Sequence, residues 1–391
     1  MLHDLKRELE LLVSQQPVRE LDPALRLTPG HVEYKGRSLI DFTSWDYLGL
    51  SKHERVRRAA HESIEQSGVG TGAPRTLSGT DSAHLAAEHR LALFFGSEAS
   101  LIFSSRNQAA FSLLTTLCNE RDVIIVEEDS LIPAADAAYL MNAGCASFPG
   151  RNLSALSAEL DRWKGARRRL VVVEALRSNG GDPVSFPPLL ELCARFGVDL
   201  ILDESAAVSA VGLRGAGCSE HIASLGHPEI LCKISELAPL SGLPGAAICG
   251  SSVLINLILQ RSKAFGAETP PTPATMAAVI AAIDLVELQG AARSHLVVLS
   301  QRLRSGIASI LKRPPEIWES PIVSIPCKSF AEARELCSAL LIRGILCEPL
   351  QSRGAFSQGG SARFLINCFH SEEQIDVTLA ALSDILPRLS R

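Results

Sequence analysis

Three stretches of this sequence hold residues whose types and spacing could do chemistry. Gly68-Val69-Gly70-Thr71-Gly72-Ala73-Pro74-Arg75, followed by Ser78-Gly79-Thr80, is rich in glycine. Glycine permits backbone conformations and close approaches that a side chain blocks, although a surface loop between helices has the same composition. Asp203 closes the apolar run Leu200-Ile201-Leu202. The carboxyl end of a buried parallel strand is where α/β folds place ligands, while an N-cap or loop acid is the plainer role of a lone aspartate. Ser104-Ser105-Arg106-Asn107 falls between a strand pattern and a helix pattern. Amides at a helix start, small hydroxyls and an arginine can hold a phosphate, and an N-cap is the commoner use of such a serine. His84 and His221 lie in amphipathic segments and are expected to be structural.

Elements that would position these residues are legible in the apolar pattern. Leu101-Ile102-Phe103, Val123-Ile124-Ile125-Val126, Leu170-Val171-Val172-Val173 and Leu200-Ile201-Leu202 are short and nearly all apolar, as strands buried on both faces are. Amphipathic stretches such as Asn107 to Cys118 and Pro187 to Phe196 separate them. Strand and helix in alternation predict an α/β fold with a mostly parallel sheet. An N-terminal helix and arm occupy residues 1–40. A long alanine-rich helix is expected after Pro270-Pro271-Thr272-Pro273, running towards Leu311 and joining two domains. Beyond it the pattern becomes α+β, with strands at Ile322–Ile325, Ile345–Cys347 and Phe364–Ile366. A helix lies near Phe330–Arg343, and a last one carries Ile375, Leu379, Leu382 and Leu386 on one face.

Composition removes several classes of function. The 391 residues are 46% apolar and 21% charged, with a net charge of −5. That gives no electrostatic reason to expect nucleic acid or an anionic membrane as partner. No apolar run is long enough for a membrane span, and the first residues lack a signal peptide's apolar core. Ten scattered cysteines without a Cys-x-x-Cys pair predict reduced thiols in a cytoplasmic protein, with no metal site.

The motifs occur in the order of one family. Asp41-Phe42-Thr43-Ser44-Trp45-Asp46-Tyr47-Leu48-Gly49-Leu50 resembles its Asn-Asp-Tyr-Leu-Gly-Leu motif. The Gly68 to Thr80 loop comes next, then the strand ending at Glu174 with Ser178, and then Leu202-Asp203-Glu204-Ser205. Gly215-Ala216-Gly217-Cys218-Ser219-Glu220-His221 and Gly245-Ala246-Ala247 complete the series. From about Leu39 to its end the chain is similar to the α-oxoamine synthases, which use pyridoxal phosphate to condense an amino acid with an acyl thioester, releasing carbon dioxide and coenzyme A. The resemblance implies a large domain of fold-type I aminotransferase shape (41–285), a smaller α+β C-terminal domain (286–391), and active sites at a dimer boundary. It also implies that Asp203 pairs with the cofactor's pyridinium nitrogen, that Ser178 contacts the cofactor, and that Arg75 is a family residue of the glycine loop; Ser105, in the helix-start segment, is a further cofactor-binding candidate.

The same comparison exposes departures. The family lysine stands six residues before Gly-Ala-Ala, and that position is Pro239, which has no amine. The nearest lysine, Lys233, falls within a strand pattern and is the one candidate for the catalytic role. Leu131 replaces the histidine that stacks on the cofactor, Ala206 the histidine after the pyridinium aspartate, and Arg106-Asn107 the Gly-Phe of the phosphate turn. Leu365 replaces the small-domain arginine, while Arg363 remains beside it. The non-catalytic subunit of eukaryotic serine palmitoyltransferase resembles this chain in its losses, and its Glu-Glu-Ser resembles Asp203-Glu204-Ser205. Three readings are open. The chain is a non-catalytic subunit, paired with a catalytically complete, lysine-bearing paralogue. Alternatively it is an active acyltransferase using Lys233, as a homodimer, or a module that binds a metabolite in the old pocket.

Overall fold

A computed structural model describes residues 1–15, 21–26, 28, 30–222, 229–352 and 359–389. An N-terminal helix, α1 (Leu2–Gln15), precedes an arm whose strands His31–Tyr34 and Arg37–Asp41 pair antiparallel. Helices α2 (Ser82–Phe95) and α3 (Arg106–Leu117) flank the first strand of a seven-stranded sheet. Its strands are β1 (Ala99–Phe103), β2 (Val123–Glu127), β3 (Gly144–Phe148), β4 (Arg169–Glu174), β5 (Asp199–Asp203), β6 (Ile230–Glu236) and β7 (Ala246–Gly250). They lie in the order β1-β7-β6-β5-β4-β2-β3. All neighbours are parallel except β7, which is antiparallel to β1 and β6.

The expected strands are therefore present, and packing explains their composition. Val171, Val173, Leu200 and Leu202 point into one core with Leu189 and Leu296, whereas Leu170, Val172 and Ile201 point into another with Leu113 and Ile248. Successive residues face opposite sides, so in β4 and β5, covered on both sides, every residue between the strand ends is apolar.

Two expectations need correction. The helix expected from Pro273 towards Leu311 is two helices, α4 (Pro273–Leu288) and α5 (Gly290–Ile310), bent by 74°. Gln289 leaves helical geometry at φ −95° and ψ 36°, and Gly290 after it is a poor helix former. The Arg293 guanidinium donates to the carbonyls of Val286 and Leu213, capping the broken end. The strand expected at Ile345–Cys347 stops at Leu346 and pairs parallel with Arg37–Asp41 of the arm. The small C-terminal domain instead has β8 (Ile322–Cys327), β9 (Glu348–Gln351) and β10 (Gly360–Leu365), antiparallel in the order β8-β10-β9. A final helix, α6 (Glu372–Leu389), packs its Ile375, Leu382 and Leu386 into that domain's core with Phe364 and Leu303. Among the described residues no single helix is long and apolar enough to cross a membrane.

Ile201 is fully buried in the centre of the sheet. Ile201→Ala is expected to cost about 2–5 kcal/mol in urea unfolding, while Val253→Ala, at an exposed position, stays within about 0.5 kcal/mol.

Candidate functional site

Each of four parallel strands ends on an acid. Glu127 closes β2, Glu174 closes β4, Asp203 closes β5 and Glu236 closes β6. Glu174 and Asp203 are register partners, and Glu127 Oε2 accepts from Glu174 N at 3.2 Å. Glu127, Glu174 and Asp203 are buried. Carboxylates gathered in a low-dielectric site require cations or donors, and the chain supplies both.

Arg151 serves one end of the row. Its Nη1 lies 3.1 and 3.2 Å from the two Glu127 oxygens and donates to Glu174 O at 2.7 Å, while its Nε donates to Asp182 at 3.2 Å. Arg106 serves the other end. It is the first residue of α3, and its side chain turns back to the sheet. Nη1 lies 3.3 Å from Asp203 Oδ2, and Nε lies 3.7 Å from Glu236 Oε1. The other Asp203 oxygen accepts from Ser205 N at 2.9 Å. Burial works against the charge of Arg106, but the carboxylates of Asp203, Glu236 and Glu174 outweigh it and raise its pKa. Burial likewise pushes Glu174 up, with Asp203 adding to the effect, to about 7. Arg151, Glu127 and Glu236 escape a reading of the sequence for single motifs, yet the repeated acid after an apolar run was a signal for three of the four row members.

The expected cofactor contacts take other partners. Ser105 is the N-cap of α3, accepting from Gln108 N at 3.2 Å. Ser178 gives its amide to Glu174 at 2.8 Å and its hydroxyl to the same carboxylate at 3.3 Å. Its carbonyl accepts from Arg363 at 2.6 Å, and that guanidinium also pairs with Glu348 and lies 4.8 Å from the Trp45 ring centroid. Arg75 makes a two-pronged ion pair with Glu88 at 2.7 and 3.0 Å. His84 bridges Asp81 N and the Pro271 carbonyl, a structural role, and His221 ends a short 3-10 turn at the surface. Leu365 is buried in β10, and Ala206 is buried beside the Tyr47 hydroxyl that donates to its carbonyl.

Between β6 and β7 the chain makes a four-residue helix (Ala238–Ser241) with Pro239 inside it. Pro239 is buried, and its carbonyl accepts from Ser209 Oγ at 2.6 Å. Lys233 lies in β6 itself, in register with Leu202, whereas its neighbour Ile234 is in register with Asp203. Adjacent residues of a strand face opposite sides, so Lys233 points away from the acid row's partner position. Its amine donates to the Phe95 carbonyl at 2.9 Å, and burial lowers its pKa against the opposing pull of Glu204.

A lysine-linked pyridoxal phosphate does not fit these residues. The carboxylate that would meet its ring nitrogen is held by Arg106, and the turn that would offer an amine offers Pro239. A cleft of about 430 Å³ opens elsewhere, its lining including Arg177, Arg313, Trp318 and Ser324 and none of Asp203, Arg106 or Pro239. Among the described residues no group of three or more His, Cys, Asp or Glu could hold a metal ion.

No family model matches the sequence. Individual relatives do. The 8-amino-7-oxononanoate synthase of Anaeromyxobacter dehalogenans is 31% identical over 382 residues, spanning 98% of this chain and 95% of that one. The enzyme of the same name from Nitrosomonas europaea is 31% identical over 381 residues, spanning 97% of each. The solved serine palmitoyltransferase of Sphingomonas wittichii superposes with a TM-score of 0.87 at 23% identity, covering 99% of this chain and 97% of that one. A second serine palmitoyltransferase structure of the same fold, with a TM-score of 0.87 at 21% identity, holds pyridoxal phosphate as an internal aldimine.

Glu174 carries a pH dependence. Its folded pKa, about 7, lies above an ordinary carboxylate's, so the folded state holds this proton more tightly than the unfolded chain. That contribution to stability is whole below about pH 4.3 and is lost as pH rises through about 7. Between pH 5 and 8, wild-type stability measured against Glu174→Gln should fall measurably, by up to about 3 kcal/mol. Parallel pH profiles for the two proteins would contradict the raised proton affinity that burial, Asp203 and Glu127 give Glu174.

Proposed function

The chain belongs to the pyridoxal-phosphate-dependent α-oxoamine synthase family, and we propose that within it this protein is a non-catalytic member, the structural partner of a lysine-bearing paralogue. The observation that carries the reading is the turn between β6 and β7, where Pro239 stands with its ring nitrogen in the backbone and no side-chain amine. Family chemistry needs a primary amine to hold the aldehyde and to move protons. Lys233 is no substitute, because its amine is buried against the Phe95 carbonyl on the face turned from Asp203.

Persistence of the fold without that amine fits selection for an interface. Obligate dimer interfaces are large and apolar, and a partner subunit keeps such a surface whatever becomes of its own site. Leu2, Leu5, Leu9 and Leu12 of α1 are exposed along one side of that helix, consistent with a chain that buries more surface on pairing. In this reading the paralogue supplies the acyl transfer between an acyl thioester and an amino acid, and this chain supplies fold, interface and stability.

Two measurements test the proposal together. The purified chain, incubated with pyridoxal phosphate and then borohydride, should show no stoichiometric cofactor label on Lys233 by peptide mass spectrometry, beyond the partial labelling of exposed lysines. Mixed with a lysine-bearing paralogue from the same cell, it should form a one-to-one complex by native mass spectrometry and raise that enzyme's turnover or thermal midpoint. Stoichiometric reductive trapping of cofactor on Lys233 would instead support the active-enzyme reading, and Lys233→Met would then abolish the label.

A further inference from the structure

We propose that the guanidinium of Arg106 takes the electrostatic place of a protonated cofactor ring and thereby closes the Asp203 site to pyridoxal phosphate altogether, reversible binding included. This deepens the non-catalytic reading and rests on it.

Charge is the starting point. In pyridoxal-phosphate enzymes an acid partners the pyridinium nitrogen, so such an acid is balanced by a cation that arrives with the ligand. Here Asp203 Oδ2 is 3.3 Å from Arg106 Nη1, with Asp203's side chain 2% and Arg106's 12% exposed. Asp203 Oδ1 is already taken by Ser205 N at 2.9 Å. Both oxygens are thus engaged by the chain itself. The same guanidinium lies 3.7 Å from Glu236 through Nε, which has no hydrogen-bond partner.

Competition between two cations settles the outcome. A ring cation entering this site must displace the guanidinium from Asp203. Arg106 starts α3, so its backbone is fixed by the N-cap contact of Ser105 with Gln108 N and by the reciprocal bond from Ser104 N to Gln108 Oε1 at 2.8 Å. The exchange would leave the guanidinium, 12% exposed, with Glu236 at 3.7 Å in place of Asp203 at 3.3 Å, and a largely buried charge that trades a close partner for a more distant one loses stability. With no covalent bond to offset that cost, the ligand loses the exchange. A cation that belongs to the chain is always present, so Asp203 remains neutralised in every molecule, whatever the cofactor concentration.

The test compares wild type, Arg106→Gly and Arg106→Gly/Asp203→Asn by equilibrium dialysis against pyridoxal phosphate, with and without borohydride. Wild type should show no saturable uptake up to about 1 mM ligand. Arg106→Gly should gain reversible binding at least tenfold tighter than wild type, with no borohydride-stable label, and the added Asp203→Asn should remove that gain. Should Arg106→Gly be unstable alone, pyridoxal phosphate should raise its thermal midpoint and leave that of wild type unmoved, since a ligand selective for the folded state stabilises it. Saturable reversible binding by wild type, or a folded Arg106→Gly that binds no better than wild type, overturns this inference and leaves the non-catalytic reading standing. A stoichiometric borohydride-stable label on Lys233 of wild type overturns that reading as well.

Discussion

Four carboxylates at one edge of a buried sheet are the constraint around which this molecule is arranged. Parallel strands of similar length end together, so Glu127, Glu174, Asp203 and Glu236 come to one edge. Three of them are buried, where water cannot screen them and where an unpaired charge is costly. The cations must therefore come to the acids. Arg151 reaches in from the segment after β3, and Arg106 reaches back from the start of α3. Glu174, which has backbone and hydroxyl donors but no guanidinium of its own, is the member whose proton affinity rises.

A second buried charge system lies in the same layer of strands. Glu204 follows Asp203 and accepts the amides of Cys218 and Ser219 at 2.9 and 2.8 Å. Burial raises its pKa, with Lys233 opposing. This arrangement ties the Gly215 to His221 segment to the end of β5. Gly217, at φ 99°, belongs to it, because a Cβ there would collide with a Glu204 oxygen. Lys233 thus has a structural occupation, consistent with its placement inside a strand and not in the turn beyond.

The family resemblance and the charge layout meet at Asp203. Relatives named for 8-amino-7-oxononanoate synthesis align along nearly the whole chain, so the scaffold is shared. In a cofactor-bound site the positive charge at such an acid arrives with the ring. Here a guanidinium of the polypeptide itself meets that acid, and the turn between β6 and β7 carries Pro239, pinned by Ser209 through its carbonyl.

The sequence by itself determined the order of strands and helices, because apolar runs of strand length and amphipathic stretches of helix length alternate along the chain. It also determined the absence of an amine at residue 239, the family motifs, and Asp203 as a strand-end acid, since each of these is a matter of local residue type. Only the tertiary structure decided that Arg106 meets Asp203, 97 residues away, and that Arg151 binds Glu127. It likewise decided that Lys233 faces Phe95 and that the helix after Pro273 breaks at Gln289. Side-chain partners across strands depend on register and on which way a helix start turns, and strands apolar on both faces lack the alternation from which a register could be read.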